Sequence, residues 1–306
     1  MAELPKDDFG MLGLFVGHAR AGTPRSPRKG WVMKDGMDRR EFLKYSLATA
    51  VLIAALGLYQ DASGQVRERV VDIPTRPSVT QRFLYLSPEN PKAAVILFPG
   101  GHGGIQISEN GSLRWGATNF VVRARQEFAD MGLSVVVIDA PSDRQSPPFL
   151  GGFRQKAEHV EDVKAVIAWM RKQNNVPVWL VGTSRGTQSA AFIATQLNVK
   201  DGGPDGVVLT STILSDNKSR PVPEMPLGSI AVPVLVVHHE QDGCKHCSYK
   251  DIPQLMKKLE GIPRKELISI KGGEDRGDPC EPYAYHGFNG REKEVVGKIA
   301  DWIQLK

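Results

Sequence analysis

Val176-Pro177-Val178-Trp179-Leu180-Val181-Gly182-Thr183-Ser184-Arg185-Gly186 is the stretch on which the reading of this chain turns. Residues 176–181 are an apolar, β-branched run of strand length, and residues 189–197 just beyond have helix length and several small side chains. Between them, Ser184 stands between two glycines. A tight strand-to-helix turn needs that pattern, because it brings the backbone close to neighbouring elements where a Cβ would clash. In a chain with 31 glycines the pattern alone is weak, since Thr183 and Ser184 would serve equally well as caps of the next helix. Context has to separate the two readings.

Outward from this turn, apolar runs of strand length alternate with amphipathic stretches of helix length, the pattern of a parallel sheet covered by helices on both faces. Two early runs, near residues 70–73 and 82–86, have no helix between them and predict an antiparallel start. Residues 93–98 read as a buried strand that ends abruptly in Pro99-Gly100-Gly101-His102-Gly103-Gly104. A helix is expected over 118–131 and a doubly buried strand over 133–139. Val160, Val163, Ile167 and Met170 make a helical stripe within 155–173. Strands at 207–213, 232–238 and 267–270 and helices at 252–259 and 292–303 complete the pattern. Only about twenty residues separate the strands near 213 and 232, too few for a helical lid of several turns.

The composition is that of a globular protein with a sizeable core: 41% hydrophobic and 24% charged residues. The formal charge is +5, and residues 1–64 carry 9 Lys/Arg against 7 Asp/Glu. The remainder shows no basic run interleaved with aromatics, so nucleic acid is excluded as a partner.

Asp38-Arg39-Arg40-Glu41-Phe42-Leu43-Lys44 precedes an apolar run over 47–58 and then Tyr59-Gln60-Asp61-Ala62-Ser63-Gly64. The order is a charged region, an apolar region and a small-residue cleavage site. The paired arginines followed by Phe-Leu-Lys resemble the twin-arginine (Tat) export signal, which a bacterial translocase reads while passing folded proteins. An apolar run of about a dozen residues is short of the ~20 that span a bilayer, so no stable membrane anchoring is expected. The resemblance implies a signal peptide over 33–64, a Tat translocase as partner during export, and a periplasmic or secreted product. Residues 1–32, rich in Pro, Gly and basic side chains, are expected to be disordered or to precede the true start at Met33 or Met37. The folded domain is expected over 65–306.

A serine hydroxyl is a poor nucleophile at neutral pH and needs a base, itself oriented by an acid. Val234-Leu235-Val236-Val237 runs into His238-His239-Glu240-Gln241-Asp242, where a carboxylate past a strand end can meet a histidine from the next loop. At this point the chain resembles the α/β-hydrolase family, in which a strand followed by His, three residues and Asp marks the triad acid. Asp242 matches that position, His239 stands where glycine is usual, and Glu240 is the competing acid. His286, in Tyr285-His286-Gly287-Phe288, resembles the family's triad histidine and is the one histidine late enough in the chain. The resemblance implies the α/β-hydrolase fold, a mostly parallel sheet with helices on both faces and little or no lid, with Ser184 as nucleophile. The oxyanion hole needs two N–H donors. Arg185 supplies one by position, and Gly101, or second His102, supplies the other from the glycine-rich loop. A phosphate cradle is disfavoured there, because neither Gly-x-Gly-x-x-Gly nor a Gly-Lys-Ser/Thr ending is present. No cofactor or metal is expected.

Cys244 lies two residues after the proposed acid and Cys280 six before the proposed base, so this fold would bring them together. A Cys244–Cys280 disulfide is expected, with Cys247–Cys280 as its competitor. Cys244-Lys245-His246-Cys247 fits poorly as a thioredoxin-type or zinc motif, lacking the fold context of one and the second ligand pair of the other.

The sequence thus points to a hydrolase that cleaves a carboxylic ester-type bond of a small-molecule substrate through an acyl-serine intermediate. The alternative is a non-catalytic ligand-binding protein of the same fold. Arg185 is placed either to attract an acidic substrate group or to point into the protein, and His102 and Phe98 are candidate pocket residues.

Overall fold

The computed structural model describes residues 66–305. The expected upstream segment, 1–32, and signal peptide, 33–64, lie outside the described residues. Eight strands form one sheet: β1 (Arg69–Arg76), β2 (Val79–Leu86), β3 (Ala93–Phe98), β4 (Leu133–Ile138), β5 (Val178–Thr183), β6 (Gly206–Thr210), β7 (Val234–His239) and β8 (Lys265–Ile270). Their spatial order is β1-β2-β4-β3-β5-β6-β7-β8. β2 runs antiparallel to both β1 and β4, and every other neighbouring pair is parallel. The expected antiparallel start and parallel body are both present.

The helices are α1 (Phe120–Arg123), α2 (Arg125–Asp130), α3 (Ala157–Asn174), α4 (Gly186–Gln196), α5 (Ile252–Lys258) and α6 (Glu292–Gln304). Every residue of β3 through β7 is buried, which explains why those strands read as continuous apolar runs rather than alternating ones. Successive side chains still go to opposite faces. Ile96 and Phe98 pack in one core with Ile167 and Met170 of α3, Ile193 of α4 and Leu255 of α5. Val95 and Leu97 pack in the other with Phe120, Phe128 and, from α6, Ile299 and Trp302.

Two expectations need correction. The helix over 118–131 is broken at Ala124, whose φ of −87° and ψ of 5° are not helical. Near the break, Arg125 Nη1 donates to the Val122 carbonyl at 2.8 Å and competes for an acceptor that a continuous helix would use. The strand expected over 207–213 stops at Thr210, because Ser211 turns out of the sheet at φ 44° while 211–213 stay buried. Between β6 and β7 the chain forms only two single 3-10 turns, Val222–Glu224 and Leu227–Ser229, so no lid is built there. Among the described residues no helix is long and apolar enough to cross a membrane.

Candidate active site

β5 ends at Thr183, and the next residue, Ser184, has φ 51°, a left-handed conformation that a side chain rarely adopts. The turn holds it there. Ser184 N–H donates to the Thr210 carbonyl at 3.0 Å, and the Ser184 carbonyl accepts from the Thr187 amide at 2.9 Å and the Thr187 hydroxyl at 2.6 Å. The flanking glycines are required by space. A Cβ on Gly186 would stand 2.0 Å from the Phe98 carbonyl oxygen, and one on Gly182 would stand 2.5 Å from the Gly186 carbonyl oxygen. The glycine-rich loop after β3 meets the same turn, since a Cβ on Gly100 would lie 3.0 Å from Ser184 Cβ.

Asp242 follows β7, and His286 sits in a single 3-10 turn, Tyr285–Gly287. The structure brings them together: His286 Nδ1 lies 2.9 Å from Asp242 Oδ2. Because a carboxylate only accepts, Nδ1 carries the proton and Nε2 is left free to accept one. Asp242 Oδ1 accepts from the Cys244 amide at 2.9 Å. The His286 carbonyl accepts from the Ser211 hydroxyl at 2.6 Å, which fixes the turn from behind. Burial alone would raise the Asp242 carboxyl, but hydrogen bonds from His238 and His286 outweigh it and hold the group at about 2. The competing acid, Glu240, faces Lys271 at the surface, 3.3 Å away.

Ser184, His286 and Gly101 line one cleft of about 400 Å³, with Trp115, Phe120 and Cys280 among its other walls. Gly101 has φ 55°. Among the described residues, the amide N–H groups of Gly101 and Arg185 donate to no backbone acceptor outside the regular elements. Arg185 immediately precedes α4, where helix-end amides favour negative charge. The His102 ring is stacked on Phe149 at 4.4 Å and packs against Trp115 at 3.9 Å, and its Nδ1 accepts from the Gly104 amide at 3.1 Å. It lines a neighbouring cleft instead. Phe98 is fully buried in the core and is not a pocket residue. The Arg185 side chain reaches Asp216 at 2.6 Å and also borders that neighbouring cleft.

Cys244 and Cys280 form the expected disulfide, with Cα atoms 4.5 Å apart, and so join the Asp242 loop to the His286 loop. Cys247 is free and buried. Burial, helped by nearby Asp242, pushes its thiol well above the ordinary range. Ligand-type atoms of Cys244, Cys247 and His286 lie within 4.8 Å of one another. The disulfide removes the Cys244 thiolate from that trio, so it does not offer three metal ligands.

Two residues at the site had no role assigned from the sequence, although His238 is the histidine that precedes Asp242 in the motif. His238 Nε2 lies 3.5 Å from Asp242 Oδ2 and 2.6 Å from the Cys247 carbonyl. Its signal was a polar side chain at the end of an otherwise apolar buried strand. Arg154 is 6% exposed and donates to the Pro99 and Gly101 carbonyls at 3.0 and 3.3 Å. It comes from an irregular loop and had no sequence signal.

No family model and no curated protein matches the chain. Solved structures do. A dienelactone hydrolase from Anabaena variabilis is 13% identical, with 78% of this chain and 97% of that one covered and a TM-score of 0.53. An esterase from Pyrococcus furiosus is 12% identical, covering 78% of this chain and 91% of that one, with a TM-score of 0.56. An esterase from the fungus Rhizomucor miehei is 13% identical over 89% of this chain and 93% of its own, with a TM-score of 0.54. At such identities the likeness is one of fold, and together with the strand order it shows that the chain has the α/β-hydrolase fold.

Proposed function

We propose that the chain is a serine hydrolase that cleaves a carboxylic ester-type bond, an ester, thioester or lactone, through an acyl-serine intermediate. The observation that carries this reading is the strained Ser184 in one cleft with His286, whose Nδ1 is held by buried Asp242 at 2.9 Å. His286 Nε2 takes the Ser184 proton as Oγ attacks the carbonyl, then returns it to the leaving group. Asp242 fixes the tautomer and stabilises the imidazolium that forms. The N–H groups of Arg185 and Gly101 receive the charge on the carbonyl oxygen, with the backbone N–H of His102 as the second candidate from the glycine-rich loop. A water activated by the same histidine then releases the acyl group. Ser184 Oγ makes no protein hydrogen bond among the described residues, and its bond to His286 forms as substrate is positioned.

Export by the twin-arginine route is part of the proposal and rests on Arg39-Arg40 and the apolar run after them. The disulfide is compatible with it. Replacing both arginines by lysine should leave the chain in the cytoplasm, and unchanged export would contradict the route.

The test of the chemistry is a panel of 4-nitrophenyl esters, thioesters and lactones. Turnover by the purified chain that disappears in Ser184→Ala is expected. Turnover that survives in that variant, or none across the panel, would overturn the reading.

A further inference from the structure

The cleft beside the Ser184 site has a character of its own. It holds about 610 Å³ and is lined by Arg154, Lys156, Arg185, Lys218 and Arg220, with no carboxylate among its lining residues. Asp216 neutralises Arg185 from behind. Arg154 has no such partner. The residue is 6% exposed, and its guanidinium donates to Ser189 Oγ and to the carbonyls of Pro99 and Gly101, with no carboxylate within ion-pair reach among the described residues. Burial and the nearby Arg185 push its pKa down, to about 9, which leaves it charged at neutral pH. A buried guanidinium without an anion is costly, and stability alone does not explain why it should be kept beside three more exposed cations. Three of its five N–H groups are used, so donors remain for a ligand. Gly101 lines this cleft and the Ser184 cleft alike, so the two clefts adjoin at the glycine-rich loop.

We propose that this second cleft is an anion-binding subsite, in which Arg154, Lys218 and Arg220 hold an oxyanion group of the substrate while its scissile carbonyl lies at Ser184. The substrate class is then an ester that carries a carboxylate or phosphate at its far end. The inference rests on the ester-hydrolase reading only for where the reacting carbonyl sits. Charge-assisted hydrogen bonds to guanidinium and ammonium groups supply the recognition. The Arg154 contacts to the Pro99 and Gly101 carbonyls tie occupation of the subsite to the loop that carries the Gly101 amide.

Arg154 variants risk misfolding, so the test uses the exposed pair. Ser184→Ala is titrated calorimetrically with monomethyl glutarate and with methyl phosphate, in the presence and absence of Lys218→Gln/Arg220→Gln. Binding of one or both that weakens at least tenfold in the added double variant is expected, and the tighter probe identifies the preferred oxyanion. Binding of neither, or binding unchanged in the variant, overturns the subsite. In parallel, kcat/KM is compared for 4-nitrophenyl hydrogen glutarate and its neutral methyl ester, where a preference of about tenfold for the anion is expected, falling in the double variant. Binding without any ester turnover would defeat the hydrolase reading and leave the subsite standing. Turnover with no variant-sensitive binding would do the reverse.

Discussion

His286 Nδ1 lies 2.9 Å from Asp242 Oδ2, with Asp242 buried to 7% exposure and His286 to 5%. The pair therefore works out of bulk water, where a hydrogen bond to a charged group sets tautomer and orientation firmly. Asp242→Asn keeps the shape but puts an amide that can donate to Nδ1 where a charged acceptor stood, so the proton is no longer held on Nδ1. It should lower kcat by about 10³ to 10⁴ with little change in KM. A loss under tenfold would move the acid role elsewhere.

The same carboxyl predicts a pH effect on stability. Its folded pKa, about 2, lies below its ordinary 3.8. Its contribution is therefore fully present above the unfolded pKa and is lost as pH falls through the folded one. Denaturant unfolding from pH 6 to pH 2 should show wild type losing on the order of 2 kcal/mol more than Asp242→Asn across that window. Parallel profiles would contradict the assignment.

The disulfide closes the chain between the acid and base loops across a sequence separation of 36. Cys280→Ser should cost about 2–4 kcal/mol, read as a drop in Tm on the order of 5–10 °C. Reductant should lower the wild-type Tm by a similar amount and leave the variant's unchanged. Thiol titration of the native chain should find nothing, because the one free thiol, Cys247, is buried with a raised pKa, and should find one thiol after unfolding.

Much of this site was legible in the sequence because its constraints are local. Gly182-Thr183-Ser184-Arg185-Gly186 needs small neighbours wherever strand meets helix so tightly, and β3 through β7 are apolar throughout because both faces are covered. Asp242 and His286 were found by order along the chain, which the parallel sheet converts into proximity. What was not legible depends on packing between distant segments. Arg154 reaches the Gly101 loop across 53 residues, and His238 matters only because Asp242 curls back over it. The break at Ala124 was equally hidden, since it sits within an otherwise helical pattern. The side-chain direction of Arg185, left open by the sequence, follows from Asp216, a buried acid 31 residues later.

Spacing at the turn gives a sharp contrast between glycines. Gly186→Ala would place a Cβ 2.0 Å from backbone that cannot easily move, whereas Gly261→Ala meets nothing within 4 Å. The first should cost at least about 3 kcal/mol or prevent folding, and the second should be neutral or stabilise by up to about 1 kcal/mol. Chemical denaturation of the two variants checks this, and equal stabilities would contradict the close approach of β3 and α4.

The central claim is that Ser184 is the nucleophile. The most direct measurement is reaction of the purified chain with a fluorophosphonate, followed by intact mass and peptide mapping. One adduct on Ser184 is predicted, with none on Ser184→Ala and slowed labelling of His286→Ala. Full-yield labelling of Ser184→Ala, or an adduct mapped to another residue in the wild type, would contradict it.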